Sequence, residues 1–452
     1  MKFIETLKNI YNIEELRNKI GYTLLLVLVY RFASYVVLPG VNPLELDSLT
    51  ESANGGILGL INTFAGGAFS RASIMALGIM PYISASIAIQ LLTVAVPYFQ
   101  KLQKEGESGR RQMNQITRYL TIAVTAVQGF AYITYLGSIG LNPVIGNELF
   151  FKITTMLILT SGTLFAMWLG EKITDNGIGN GISLLIMIGI IANLPGSIVN
   201  EISARFSGTG AGGGMIFILE IAILFIIVMV TIALVQAVRR IPIQYAKRNI
   251  VKSGRSMQPG GVREYLPLKV NASGVMPIIF AQAIMFLPAY LVGLFNSAEA
   301  ANSALLISIS DPRKFGYNLL TFVLVVVFTY LYTAMIINPT QIGDNLKKEG
   351  GFIPGVKPGA DTSEYIDNIV SRITFPGSVF LGLVAILPAF ALMAGINQGF
   401  AYFFGGTSLL ILVAVILDTL QQIESYLLNR HYDGLTKSGR IKGRHNSVGA
   451  SV

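Results

Sequence analysis

Ten stretches of roughly 20 mostly apolar residues recur along the chain, the length at which an α-helix crosses a ~30 Å hydrocarbon layer. They run from Gly21 to Leu38, Ser73 to Val96, Tyr119 to Gly137, Ile153 to Gly170 and Ile182 to Asn200. The other five run from Ile216 to Gln236, Val275 to Gly293, Leu319 to Ile337, Ser378 to Gly395 and Thr407 to Leu427. Water is not the main solvent of such a chain. The balance of residues agrees, since only 13% are charged, against about 25% in globular proteins. The expected fold class is an all-α integral membrane protein with ten transmembrane helices.

The charges give the orientation. Of the 33 Lys and Arg residues, 27 lie in alternate segments; the opposite set holds Arg71, Lys152, Arg205, Arg313 and Lys314, and Arg31 sits inside the first span. The positive-inside rule then places both termini in the cytoplasm. The formal charge of +9 is accounted for by these segments without invoking nucleic acid. Met1 to Ile20 mixes bases and acids and has no small-residue cleavage site before the first apolar run. A cleavable signal peptide is not expected.

Several chemistries lack their residues. There is no cysteine, hence no disulfide, thiolate metal site or cysteine nucleophile. The two histidines, His431 and His445, fall in the tail, so a HExxH helix or histidine triad has nothing to be built from. Residues 208 to 213 match GxGxxG, but no strand precedes them, and no GxxxxGK[ST] occurs. Direct nucleotide binding is not expected, nor is any cofactor. Ion-coupled transport usually leaves ionisable groups near the midplane. Arg31 and Asp418 are the candidates here, Glu220 and Glu424 lying close to span ends.

Between the first two spans, residues 55 to 67 are apolar, flanked by glycines and too short to cross. This segment is either a re-entrant piece inside a protein cavity or an external helix on the lipid interface. Ile79 and Ile83 share one helix face, as do Ile186 and Ile190. Such pairs face lipid, pack in a core, or converge on an axis as a dewetting constriction. Two long polar loops, 239–270 and 338–374, carry clustered bases. They read as solvated or lipid-contacting faces, or as docking sites for a large partner.

The run Gly67-Ala68-Phe69-Ser70-Arg71-Ala72-Ser73, continuing through Gly78-Ile79-Met80-Pro81-Tyr82-Ile83-Ser84 to Gln90-Leu91-Leu92-Thr93, resembles the second span of the SecY family. These are the central subunits of the bacterial protein-conducting channel. Further similar segments are Lys104-Glu105-Gly106-Glu107-Ser108-Gly109-Arg110-Arg111, Gly177-Ile178-Gly179-Asn180-Gly181-Ile182-Ser183 and Tyr245-Ala246-Lys247-Arg248. Leu266-Pro267-Leu268-Lys269-Val270-Asn271, Asp344-Asn345-Leu346-Lys347-Lys348 and Gly405-Gly406-Thr407-Ser408-Leu409-Leu410-Ile411 complete the series in family order.

The resemblance implies two inverted five-helix halves, 21–200 and 201–427, around an hourglass pore, with a cytoplasmic segment 1–20 and tail 428–452. Segment 55–67 takes the place of a short re-entrant plug helix, with Ile57, Leu58, Leu60, Ile61 and Phe64 as its apolar residues. Ile79, Ile83, Ile186, Ile190, Ile279 and Ile411 fall at pore-ring positions. Gln128 falls at the lateral gate, between spans two and three on one side and seven and eight on the other. Secreted chains would cross through the ring, and apolar segments would leave sideways into lipid. Implied partners are SecE, SecG, the ATPase SecA, the ribosome, signal sequences and translocating polypeptides, and membrane lipids, in a bacterial plasma membrane. Arg239, Arg240, Lys247, Arg248, Arg255, Lys347, Lys348 and Lys357 would face the cytosolic partners. Where the family has Ile-Arg-Pro-Gly, this chain has Val356-Lys357-Pro358-Gly359; lysine keeps the charge without the planar fork of donors. A secondary transporter of a small solute is the competing reading.

Overall fold

A computed structural model describes residues 13–42, 46, 56–138, 148–206, 213–245, 263–295, 308 and 313–438 of the chain. Each of the ten expected spans overlaps one helix, though residues 34–38 of the first and 73–79 of the second are not helical. The first five are α1 (Glu14–Ala33), α3 (Met80–Ala95), α5 (Glu107–Ser138), α6 (Glu148–Asn176) and α7 (Gly181–Phe206), with the short α2 (Gly56–Phe64) and α4 (Pro97–Lys104) between them. The second five are α8 (Gly213–Gln236), α9 (Met276–Phe295), α10 (Phe315–Ile336), α12 (Ala360–Met393) and α14 (Gly406–Ser438), with α11 (Pro339–Glu349) and α13 (Gln398–Ala401) as connecting pieces. Among the described residues seven helices are long and apolar enough to cross a membrane, and α3 with α4, bent by 96°, makes an eighth. The 20-residue α1 and α9 carry the remaining two expected spans.

Helix α8 has the surface of a lipid-facing element. Its buried residues are Glu220 and Thr231, while Ile218, Leu219 and Phe225 are each at least 60% exposed. In water that distribution would be inverted; in a bilayer apolar faces meet lipid and polar groups turn to protein.

The second span does not begin as a helix. Ser73 to Ile79 form successive turns, and α3 starts only at Met80, with Pro81 in its first turn. Tertiary pairing holds the preceding backbone: Ile74 N–H donates to Val36 O (2.9 Å) and Leu38 N–H to Ala72 O (2.8 Å). Ala72 sits at φ +45° and Gly78 at φ +53°, both incompatible with a continuing helix. Residues 64–70 are all buried, as irregular backbone at membrane depth must be.

The two long polar segments fold together rather than remaining loops. β1 (Val238–Tyr245) pairs antiparallel with β2 (Arg263–Lys269), from Val238 opposite Lys269 to Gln244 opposite Arg263. Its other edge takes β3 (Gly351–Phe352), giving the order β2-β1-β3. Ile241 and Ile243 alternate inward along β1 and meet Leu268, Leu346, Ile353, Ile366 and Val370 in a small apolar core. The helical bundle therefore carries a small sheet that hydropathy does not reveal. Residues 208–212 of the glycine motif, Lys247, Arg248, Arg255 and His445 lie outside the described residues, as do the side chains of Ile57, Leu58, Leu60 and His431.

Candidate functional site

Five chain segments meet at a narrow place in the middle of the bundle. Ile83 of α3, Ile186 of α7, Ile279 of α9 and Ile411 of α14 line one small cavity, and Phe64, the last residue of α2, closes it. Its volume is about 20 Å³, room for a single water. Met80, Ser84, Gln282 and Ala283 complete its wall; the sequence reading did not single them out. Gln282 is held at the rim by Thr407, whose hydroxyl donates to Gln282 Oε1 at 2.9 Å.

The other two isoleucines take neighbouring places. Ile79 caps the start of α3 and its carbonyl accepts from Ile83 N–H at 3.1 Å; Ile190 lies one turn beyond Ile186 and is fully buried. Neither lines the small cavity, but both belong to the apolar cluster that contains Ile186, Ile411, Ile61 and Phe64 and against which Ile83 and Ile279 pack. A constriction walled mainly by branched apolar side chains, with Ser84 and Gln282 its polar members, offers water and ions few partners, so it resists wetting while its walls remain free to part.

A second cavity, of about 480 Å³, opens between α3, α5 and α9. Ile87, Leu91, Val124, Val127 and Ile284 make it apolar, with Gln128 on its α5 wall. The Gln128 Oε1 atom is buried there without a hydrogen-bond partner. An unpaired amide oxygen in apolar surroundings costs stability, roughly 1–3 kcal/mol, so the seam is not packed to its optimum. Farther along α3, Tyr332 of α10 donates its hydroxyl to Gln90 Oε1 at 2.8 Å, and Gln90 Nε2 donates to Ser86 Oγ at 3.3 Å. Phe280 of α9 stacks on Phe328 and tilts against Tyr332, which fixes the tyrosine.

The charged residues considered for ion coupling have other partners. Arg31 donates to Gly66 O and to Tyr35 Oη, Asp418 is exposed and accepts from Gln422, and the two do not pair. Glu220 bonds Arg205 Nη2 at 2.6 Å, and the same guanidinium reaches Glu201 through Nε at 2.8 Å. On the charge-rich face, Arg239, Arg240, Lys347, Lys348 and Lys357 are exposed. Val356 packs against the core under the sheet while Lys357 beside it faces outward. Gly355 and Gly359, at φ +87° and +111°, set the turn around them.

The model of the SecY family matches residues 73–420. The chain belongs to the SecY family. It is 41% identical to the protein translocase subunit SecY of Streptomyces scabiei, over 94% of this chain and 97% of that one. With SecY of Aquifex aeolicus the identity is 40%, over 95% and 98%. A solved protein-conducting channel superposes with a TM-score of 0.63 at 15% identity, covering 94% of this chain and 95% of that chain. Sec61 from a canine ribosome-channel complex superposes at 0.59 and 15%, with coverage of 94% and 95%. Membership of this family, together with the separation of Arg31 from Asp418, sets the small-solute transporter aside in favour of a protein-conducting channel.

Proposed function

We propose that the chain is the passive central subunit of a bacterial Sec translocase, passing unfolded polypeptides across the plasma membrane and releasing apolar segments into lipid. The observation that carries the pore is the meeting of Ile83, Ile186, Ile279 and Ile411 with Phe64 around one cavity in a SecY-family chain. In this reading the six isoleucines are the ring, Ile79 and Ile190 backing the four that line it, and α2 is the plug that blocks the resting pore. The ring fits many side chains because apolar contact is non-directional, and it limits ion leakage by dewetting.

The groove beside Gln128 is the lateral exit, between α3 and α5 on one side and α9 and α10 on the other. A substrate segment sampling pore and lipid partitions by its side chains; each Asp, Lys or Arg at mid-membrane opposes insertion by about 2.5–3.5 kcal/mol. Residues 21–200 and 201–427 act as the two halves, held by SecE, with SecG alongside. Both termini and the sheet-bearing face lie in the cytoplasm, where Arg239, Arg240, Lys347, Lys348 and Lys357 meet SecA or a ribosome, joined by Lys247, Arg248 and Arg255. SecA supplies the ATP hydrolysis for which this chain has no P-loop.

Reconstitution tests the whole reading. Vesicles containing the chain with SecE and SecG are expected to import a preprotein only when SecA and ATP are added. Import independent of SecA, or ATP-free uptake of a small solute, would overturn it. Because the chain has no cysteine, Thr209→Cys and Lys357→Cys report the orientation: an impermeant thiol reagent added to intact cells is expected to label the first and spare the second.

A further inference from the structure

Helix α2 rests against α7 at a point where no side chain intervenes. Gly189 lies between the two α7 isoleucines, Ile186 and Ile190, and its backbone approaches the end of α2 directly. A Cβ at 189 would stand 2.7 Å from Phe64 O and 3.3 Å from Gly66 N. The first distance is a clash with backbone, which cannot swing away as a flexible side chain would. Four residues on, and so on the same face of α7, Asn193 Nδ2 donates to Asn62 O at 3.3 Å and to Thr63 O at 3.4 Å. From the other side, Arg31 Nη1 of α1 donates to Gly66 O at 3.0 Å.

All three contacts are made to backbone. The acceptors are carbonyls in the last turn of α2 and just beyond it; Asn62 O and Thr63 O also accept from Gly67 N–H (2.9 Å) and Gly66 N–H (3.2 Å), so Asn193 uses their second lone pairs. Gly66 and Gly67, at φ +66° and +80°, take the left-handed backbone that ends the helix there. Asn62 adds an internal brace, its Oδ1 accepting from Ser70 N–H at 3.0 Å.

We infer that Gly189, Asn193 and Arg31 form a seat that holds α2 in the closed pore by its backbone, so that opening requires these contacts to break. They are positioning residues and belong to neither the ring nor the plug. The seat reads carbonyls, which every residue has, so it holds α2 with little regard to that helix's side chains. It also couples plug and ring, because Gly189 and the isoleucines on either side of it share one rigid turn of α7. The inference rests on the reading of α2 as the plug.

The test is basal ion conductance of the reconstituted SecE- and SecG-containing channel in planar bilayers. Gly189→Ala, Asn193→Ala and the near-isosteric Asn193→Asp, which removes the amide donors, are compared with the unaltered chain and with a deletion of residues 57–64. Each substitution is made in both the full-length and the plug-deleted chain. The expected result is a rise of about two- to tenfold for each variant of the full chain, the population shift that loss of one such contact gives. In the plug-deleted chain the same substitutions are expected to add nothing. Wild-type conductance in all three variants, beside a leaky deletion, would overturn the seat and leave the plug standing. An equal rise with and without residues 57–64 would place the effect in the ring and also overturn it. A deletion that conducts no more than the full chain would instead refute the plug reading.

Discussion

At the centre of the bundle, Ile83, Ile186, Ile279 and Ile411 arrive from four helices, while on the charge-rich face Ile241, Ile243 and Leu268 meet Leu346, Ile366 and Val370. The residue types are the same, but their attachment differs. Among the described residues no backbone hydrogen bond joins α3, α7, α9 and α14 to one another, so the central contact is side chain on side chain. On the face, β1 and β2 are paired through seven residue positions and β3 closes the other edge. Dispersion contacts re-form in many geometries, whereas a ladder of directional bonds tolerates one register. A centre of the first kind can part around a passing chain, and a face of the second kind keeps its shape while a partner pushes on it.

The contrast breaks most readily at Ile366, which is fully buried under the sheet. Ile366→Ala removes core volume at a cost of about 2–5 kcal/mol. SecA binding to the reconstituted channel is expected to weaken, with basal conductance unchanged. A matching rise in conductance would show that the face and the centre are one mechanical unit. The next effect belongs to the centre. Ile411→Asn encloses an unpaired amide, weakening the closed state by about 1–3 kcal/mol and raising single-channel leakage roughly tenfold. Ile416→Asn, on the exposed side of the same helix, is expected to leave the leak at its basal level. Equal leak from both variants would remove Ile411 from the constriction.

The seam between α3 and α10 lies between these extremes, because it has one directional bond. Tyr332→Phe deletes the hydroxyl that reaches Gln90, a loss of about 0.5–1.5 kcal/mol. It is expected to lower the hydrophobicity that a test segment needs for lateral insertion. Gln90→Leu should do the same and the double variant no more, which a double-mutant cycle on insertion efficiency checks. The smallest effect is expected at the exposed turn. Lys357→Glu reverses a rim charge, which chiefly slows association, and should reduce SecA-driven import about two- to threefold at matched channel abundance. Lys357→Arg should keep or improve it. Undiminished import by the Glu variant would make the turn a plain solvated loop and the face a scaffold without that contact.

The place of the membrane helices was legible in the sequence because crossing a bilayer is a local demand: a run of apolar residues either spans the layer or does not. The family segments were equally legible as a class, and the turn at Val356 to Gly359 could be read from its proline and glycine. Helical period put Ile83 one turn from Ile79 and Ile190 one turn from Ile186, but a face has no address. That Ile83, Ile186, Ile279 and Ile411 line one cavity while Ile79 and Ile190 belong only to the wider apolar cluster was decided by packing between helices far apart in sequence. The same holds for the bond from Tyr332 to Gln90, for the delayed start of α3 at Met80, and for the approach of Gly189 to Phe64. The sheet escaped because β1 finds its partners across two long connections, and strand pairing leaves no mark in hydropathy averaged over a span. Local solvation fixes which segments enter the membrane; only the assembled bundle decides which side chains meet there, because that choice is made by volume and distance between surfaces the sequence presents separately.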